Sequence, residues 1–160
     1  MQQQPLSQRG QKRREAILEA ATDAFLQHGY EGTTLDMIIT QAGGSRRSLY
    51  DYFGDKQGLF GAVIRYHADK LVEEIRSIDV TGMSAREGLT MLANNFVFAL
   101  LEPLNLELYR LLITQAPTFP DLGRTVYQAG PELLLSELEQ YLKHLQREGQ
   151  LPAKLPTPHT

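Results

Sequence analysis

Apolar residues recur along this chain every three or four positions and nowhere alternate with period two for long. That pattern predicts helices and an all-α fold. The first stripe, Ile17, Ala20, Ala21, Ala24 and Phe25, lies on a helix over 11–28 that Gly29 ends. A second helix is expected from Thr33, with Leu35, Ile38, Ile39 and Ala42 buried. Thr33 and Asp36 fit a capping box, in which the hydroxyl accepts from a free backbone N–H and the carboxylate reaches back. Gly43 and Gly44 then break the helix, and Ser45 caps a short third one that closes at Phe53-Gly54.

Asp55 is the expected cap of a long fourth helix running to about residue 78, with Leu59, Phe60, Val63, Ile64, His67, Leu71 and Ile75 along one side. After a loop at 79–84, helices are expected over 85–101, 106–115, 120–127 and 131–147. The last opens on Pro131, where a missing N–H costs nothing, and stops at Gly149. Pro152, Pro156 and Pro158 imply an extended tail. The elements divide into a three-helix unit with its N-terminal arm, residues 1–56, and a helical unit, residues 57–160.

Charge changes the picture more through its distribution than through its net value of −3. Arg9, Lys12, Arg13 and Arg14 form a cationic start with no acid among the first fourteen residues. Up to Lys56 cations and acids balance at seven each, so the excess of acid belongs to the second unit. The chain has no cysteine, so neither a disulfide nor a thiolate metal site is available. Its four histidines stand far apart, without ligand spacing. No nucleophile–base pair, phosphate-binding glycine loop or metal cluster stands out, so the reading is not an enzyme and needs no cofactor. No apolar run approaches the roughly 20 residues of a membrane span, and the polar start lacks the apolar stretch of a signal peptide. The expectation is a cytoplasmic protein without a membrane partner.

The segment 33–56, TTLDMIITQAGGSRRSLYDYFGDK, has the parts of a helix-turn-helix: two short helices around a glycine turn. Early residues of a helix in the major groove reach base edges, and Arg46 and Arg47 hold that position. Thr33 and Thr34 place hydroxyls and free N–H groups at a helix start, where anions bind. Ser45, Ser48, Tyr50, Tyr52 and Lys56 are the other candidate DNA contacts, with Lys12, Arg13 and Arg14 extending the phosphate surface. Plainer roles stand beside these: Arg47 pairing with Asp51 one turn on, Arg46 solvated, and the Tyr50 ring in the core with its hydroxyl free.

The stretch 14–60 resembles the DNA-binding domain of the TetR family of bacterial regulators. It carries Ala21…Phe25…Gly29-Tyr30, Thr33-Thr34, Ala42-Gly43, Ser45…Leu49-Tyr50-Asp51-Tyr52-Phe53 and Lys56…Leu59. The stretch 106–131 resembles the C-terminal domain of the AefR-like branch. The resemblance implies a sequence-specific transcriptional regulator, a repressor released from double-stranded operator DNA by a small molecule. It makes Arg46, Arg47 and Ser48 the base-side readers and Thr33, Thr34, Tyr50, Tyr52 and Lys56 the phosphate clamps. Gly44 departs from the family's usual Val or Ile.

The resemblance also implies a ligand cavity in the second unit, for a small apolar or mixed molecule. Tyr66, Asn95, Phe96, Tyr109 and Tyr127 are its candidate lining; for each of them a plain core role is the alternative. A homodimer is expected through the leucine face of 131–147, although the family's second bundle helix has no counterpart in the pattern and the unit looks shortened. The rival reading is a shortened interaction protein of the same fold with weak or no operator binding.

Overall fold

A computed structural model describes residues 7–154. Those residues form eight helices and no strand: α1 (Gln8–Gly32), α2 (Leu35–Ala42), α3 (Arg46–Phe53), α4 (Lys56–Arg76), α5 (Ala85–Leu101), α6 (Pro103–Gln115), α7 (Pro120–Ala129) and α8 (Pro131–Arg147). The all-α expectation holds. Pro156 and Pro158 lie outside the described residues.

Where ends differ from the apolar pattern, capping chemistry explains it. α1 starts three residues before the expected 11 because the Ser7 hydroxyl accepts from the Gly10 N–H at 3.2 Å. Gly29 breaks its helical geometry at φ +69°, and one more turn follows to Gly32. α5 opens on a complete capping box between Ser84 and Glu87. α6 begins at Pro103 rather than 106, because proline in the first turn forfeits no hydrogen bond. α4 stops at Arg76, where the Ser77 N–H turns back to the Glu73 carbonyl at 3.0 Å.

The core gathers where α1 ends and α4 begins. Phe25 and Phe60 are fully buried and meet edge to face, with ring centroids 5.1 Å apart. Tyr30 stacks on Phe25 at 5.8 Å and meets Phe60 at 5.2 Å. Phe119, from the turn after α6, closes on Tyr30 at 5.1 Å. Ile17, Leu18 and Ala21 of α1, Leu59, Val63 and Ile64 of α4, and Leu49 and Phe53 of α3 belong to the same core. So do Leu108 and Leu112 of α6, so the core runs without a break from the short helices α2 and α3 into the C-terminal half. Each large aliphatic or aromatic side chain among them contributes about 1.5–3 kcal/mol through burial.

The far end of the molecule is thinner. In α5 only Gly88 is buried, packed so close to the Tyr141 hydroxyl of α8 that a methyl group there would overlap it. Phe98, Leu101, Ile113 and Leu135 remain more than half exposed.

α1 and α4 are also joined by a polar contact. The Thr22 hydroxyl donates to the Leu18 carbonyl at 2.8 Å, so His67 Nε2, 3.0 Å away, supplies the hydrogen of the second bond. Burial, and next the charge of Lys70, lowers the His67 pKa; Glu19 opposes them.

Two outcomes follow. Phe60→Ala removes the ring that the other aromatics surround, and chemical denaturation should show a loss of about 3–5 kcal/mol. Because the His67 pKa is lowered in the fold, the unfolded chain binds the extra proton and stability rises with pH through that window. Stability should therefore fall as pH drops below about 6.5, the ordinary imidazole value. Denaturation of His67→Gln across the same range should show a weaker slope; an unchanged slope would assign the effect to other groups.

Candidate nucleic-acid interface

α2 and α3 are both short, and each is anchored by few apolar residues: Ile38 in α2, Leu49 and Phe53 in α3. Their starts are capped by hydroxyls. Thr34 accepts from the Met37 N–H at 3.3 Å, and Ser45 from the Ser48 N–H at 3.3 Å. The cap of α2 is thus Thr34, one residue later than expected, and the Thr33–Asp36 capping box does not form.

Thr33 does something else. Its side chain is buried, and its hydroxyl hydrogen is shared between the carbonyls of Gly29, at 2.7 Å, and Ala24, at 2.9 Å. Gly29 is the residue at which α1 breaks, so the hydroxyl ties the turn after it back to the helix before it. That hydroxyl is thus enclosed and engaged within the fold, whereas the Thr34 hydroxyl caps α2 at the surface. Asp36, freed from capping, pairs with Arg46: Nε donates to Oδ1 at 2.7 Å and Nη2 donates to Oδ2.

The exposed face of α3 carries Arg46, Arg47 and Tyr50, at helical spacings of three and four, opposite the buried Leu49 and Phe53. Arg47 extends into solvent, its side chain 90% exposed and only loosely paired with Asp51 at 3.8 Å. Tyr50 is half exposed, so its ring is not a core element. Ser48 and Tyr52 are half-buried, and the Ser48 hydroxyl lies 3.1 Å from that of Ser45. A single exposed contact as loose as Arg47–Asp51 holds little free energy and exchanges readily for another anion.

The cations around α3 are anchored to the fold. Lys56 donates to the Glu31 carbonyl at 3.2 Å, with its ammonium 4.6 Å above the Tyr30 ring. Arg14 lies over the Phe53 ring at 5.5 Å. Arg13 donates to the Gly43 carbonyl at 2.7 Å, across the turn between α2 and α3. Gly44 sits beneath that guanidinium at φ +112°, and any β-carbon there would overlap it. Glycine at position 44 therefore makes room for Arg13, a coupling between residues distant in sequence that spacing alone does not reveal.

The candidate ligand residues are spread over four helices. Tyr66 is half-buried, between the Lys70 ammonium, 4.2 Å from its ring, and the His67 ring. Phe96 is half-buried. Asn95 is exposed, its amide donating to the Met91 carbonyl at 2.9 Å. Tyr109 and Tyr127 are exposed too. An open depression of about 690 Å³ lined by Ser84, Arg86, Leu89, Gln150 and Leu151 contains none of the five.

Two family models match this chain: "Bacterial regulatory proteins, tetR family" over residues 17–63 and "AefR-like transcriptional repressor, C-terminal domain" over residues 87–157. The chain is similar to a solved TetR-family transcriptional regulator from Mesorhizobium loti, with 33% identity and a TM-score of 0.81, covering 89% of this chain and 72% of that one. It is similar to the flavonoid-responsive regulator FrrA, with 28% identity and a TM-score of 0.70 over 86% of this chain and 70% of that one. It is 40% identical over 62 residues to the transcriptional repressor AcnR of Corynebacterium glutamicum, which is 39% of this chain. That match spans only 33% of the length of AcnR.

Thr33→Val keeps the shape of the side chain and removes its donor. It should lower the unfolding free energy by about 1–3 kcal/mol, the cost of buried groups left unpaired. Urea unfolding is the check, and a variant as stable as the parent would leave the two carbonyls without need of the hydroxyl.

Proposed function

The chain belongs to the TetR family of bacterial transcriptional regulators, and from that premise we propose that α3 is the element with which it reads operator DNA. The observation that carries this is the exposed face of α3: Arg46, Arg47 and Tyr50 stand outward while Leu49 and Phe53 hold the helix down. In the major groove Arg46 and Arg47 meet base edges, with a guanidinium fork suited to guanine O6 and N7. Ser45, Ser48, Thr34, Tyr50, Tyr52 and Lys56 meet the backbone, and Lys12, Arg13 and Arg14 extend that contact. Thr33 supports the clamp from inside by holding the end of α1.

Residues 1–56 serve as the docking part in this reading and residues 57–160 as the sensing part, with α4 joining them. The protein works in the cytoplasm as a homodimer, two α3 helices lying about one turn of DNA apart, ~34 Å. Exposed apolar side chains on α8, Leu135 and Leu138, support self-association.

Its action is that of a repressor released by a small apolar or mixed molecule, with Tyr66, Asn95, Phe96, Tyr109 and Tyr127 as candidate contacts. The Gln115 side-chain oxygen supports a ligand in this half, being buried without a hydrogen-bond partner. A ligand that favours the non-binding conformation lowers operator affinity by that same preference.

Selecting bound sequences from random DNA tests the reading. On the selected site Arg47→Ala should cost about 1–3 kcal/mol and relax one base pair. Lys56→Ala should weaken binding to all sequences alike and lower the salt slope by about 1. Binding of both variants like the parent would overturn this docking.

A further inference from the structure

The two arginines of the reading face are held differently. The Arg47 fork is almost wholly solvated. Arg46 is gripped side-on by Asp36, a residue of the preceding helix, through both Nε and Nη2. Asp36 sits in the first turn of α2, so the grip reaches Arg46 from a separate, capped helix. A guanidinium has five N–H donors in a fixed plane, and a side-on carboxylate consumes two of them along one edge. The edge formed by Nη1 and the remaining Nη2 hydrogen stays open, and two parallel donors are what guanine O6 and N7 require.

We propose that Asp36 is a specificity-determining positioning residue, which presets the Arg46 guanidinium to read one guanine end-on. The proposal rests on α3 being the reader helix. A long arginine side chain loses rotamer freedom when it is ordered at a base, and a side chain already ordered by Asp36 loses less. The carboxylate also opposes nearby phosphates. Replacing it therefore trades selectivity for indiscriminate attraction, whereas loss of a mere structural tie would weaken binding to every sequence together. Arg47 has no comparable anchor and makes the more adaptable contact.

The test compares base preferences of the full chain, of Arg46→Ala and of Asp36→Asn, by selection from random duplex DNA followed by titration of single-base variants of the selected site. Circular dichroism melts confirm that each variant is folded; this pair is exposed, so neither substitution should unfold the chain. The parent should discriminate by about tenfold or more at the guanine that Arg46→Ala ceases to read, and Asp36→Asn should shrink that factor to about threefold or less at the same base pair alone. Its affinity for random-sequence DNA should be unchanged or higher. Asp36→Asn keeping the parent's preference at that base pair would overturn the proposal, and so would Arg46→Ala keeping every preference. A parent chain that selects no sequence would instead remove the operator reading on which the proposal rests.

Discussion

The packing of Phe25, Tyr30 and Phe60 is the constraint on which the rest of this molecule depends. It joins the end of α1 to the start of α4, and those two helices are the frame on which the short α2 and α3 are hung. Helices of eight residues are too short to be stable alone in water. They exist here because Ile38, Leu49 and Phe53 bury their apolar sides against a frame already rigid. The same cluster sets the path of the chain between α1 and α2. Gly29 turns with a positive φ, Tyr30 drops into the core, and Thr33 donates back to the carbonyls of Gly29 and Ala24.

Around that frame the cations do two jobs at once. Lys56 caps the Tyr30 ring from the solvent side, Arg14 covers Phe53, and Arg13 bridges the turn after α2. Each covers part of the structure with its stem or its charge and keeps donors available at the surface. The seven acids that balance the seven cations up to Lys56 are therefore not a mark against nucleic acid. Two of them, Asp36 and Asp51, pair with Arg46 and Arg47. In exposed pairs they arrange the arginines without neutralising them permanently.

Most of the helices were legible in the sequence, because apolar periodicity and end signals are local. Ser45 and Asp55 mark helix starts through their own side chains, and the structure uses both as caps. What was not legible depended on side chains distant in sequence. Thr33 and Thr34 are equivalent as letters; only the break at Gly29 makes the first a buried tie and the second the cap. Asp36 reads naturally as half of a capping box until Arg46, ten residues on, is brought beside it. Gly44 reads as a loosened turn until Arg13 is found above it. The ligand candidates were the least legible, since lining a cavity is a property of packing between helices and leaves no spacing behind.

The continuity of the core bears on how a signal would travel. Leu108 and Leu112 reach from α6 into the cluster that holds α1 and α4, and Phe119 touches Tyr30 directly. Leu59, Phe60, Val63 and Ile64 of α4 lie in that same cluster, beyond the expected boundary at residue 56. A shift of α6 therefore cannot leave the aromatic cluster untouched, because close-packed interiors transmit displacement rather than absorb it. Tyr30 is the pivotal contact: one neighbour, Phe119, belongs to the C-terminal half, and another, Lys56, stands at the first position of α4. Moving α4 moves Phe60 and, with it, the support of α2 and α3. The thin packing of α5, with only Gly88 buried, leaves the other side of the C-terminal half the freer to rearrange. Rigidity is thus concentrated where the bases would be read, and freedom where a small molecule would be sensed.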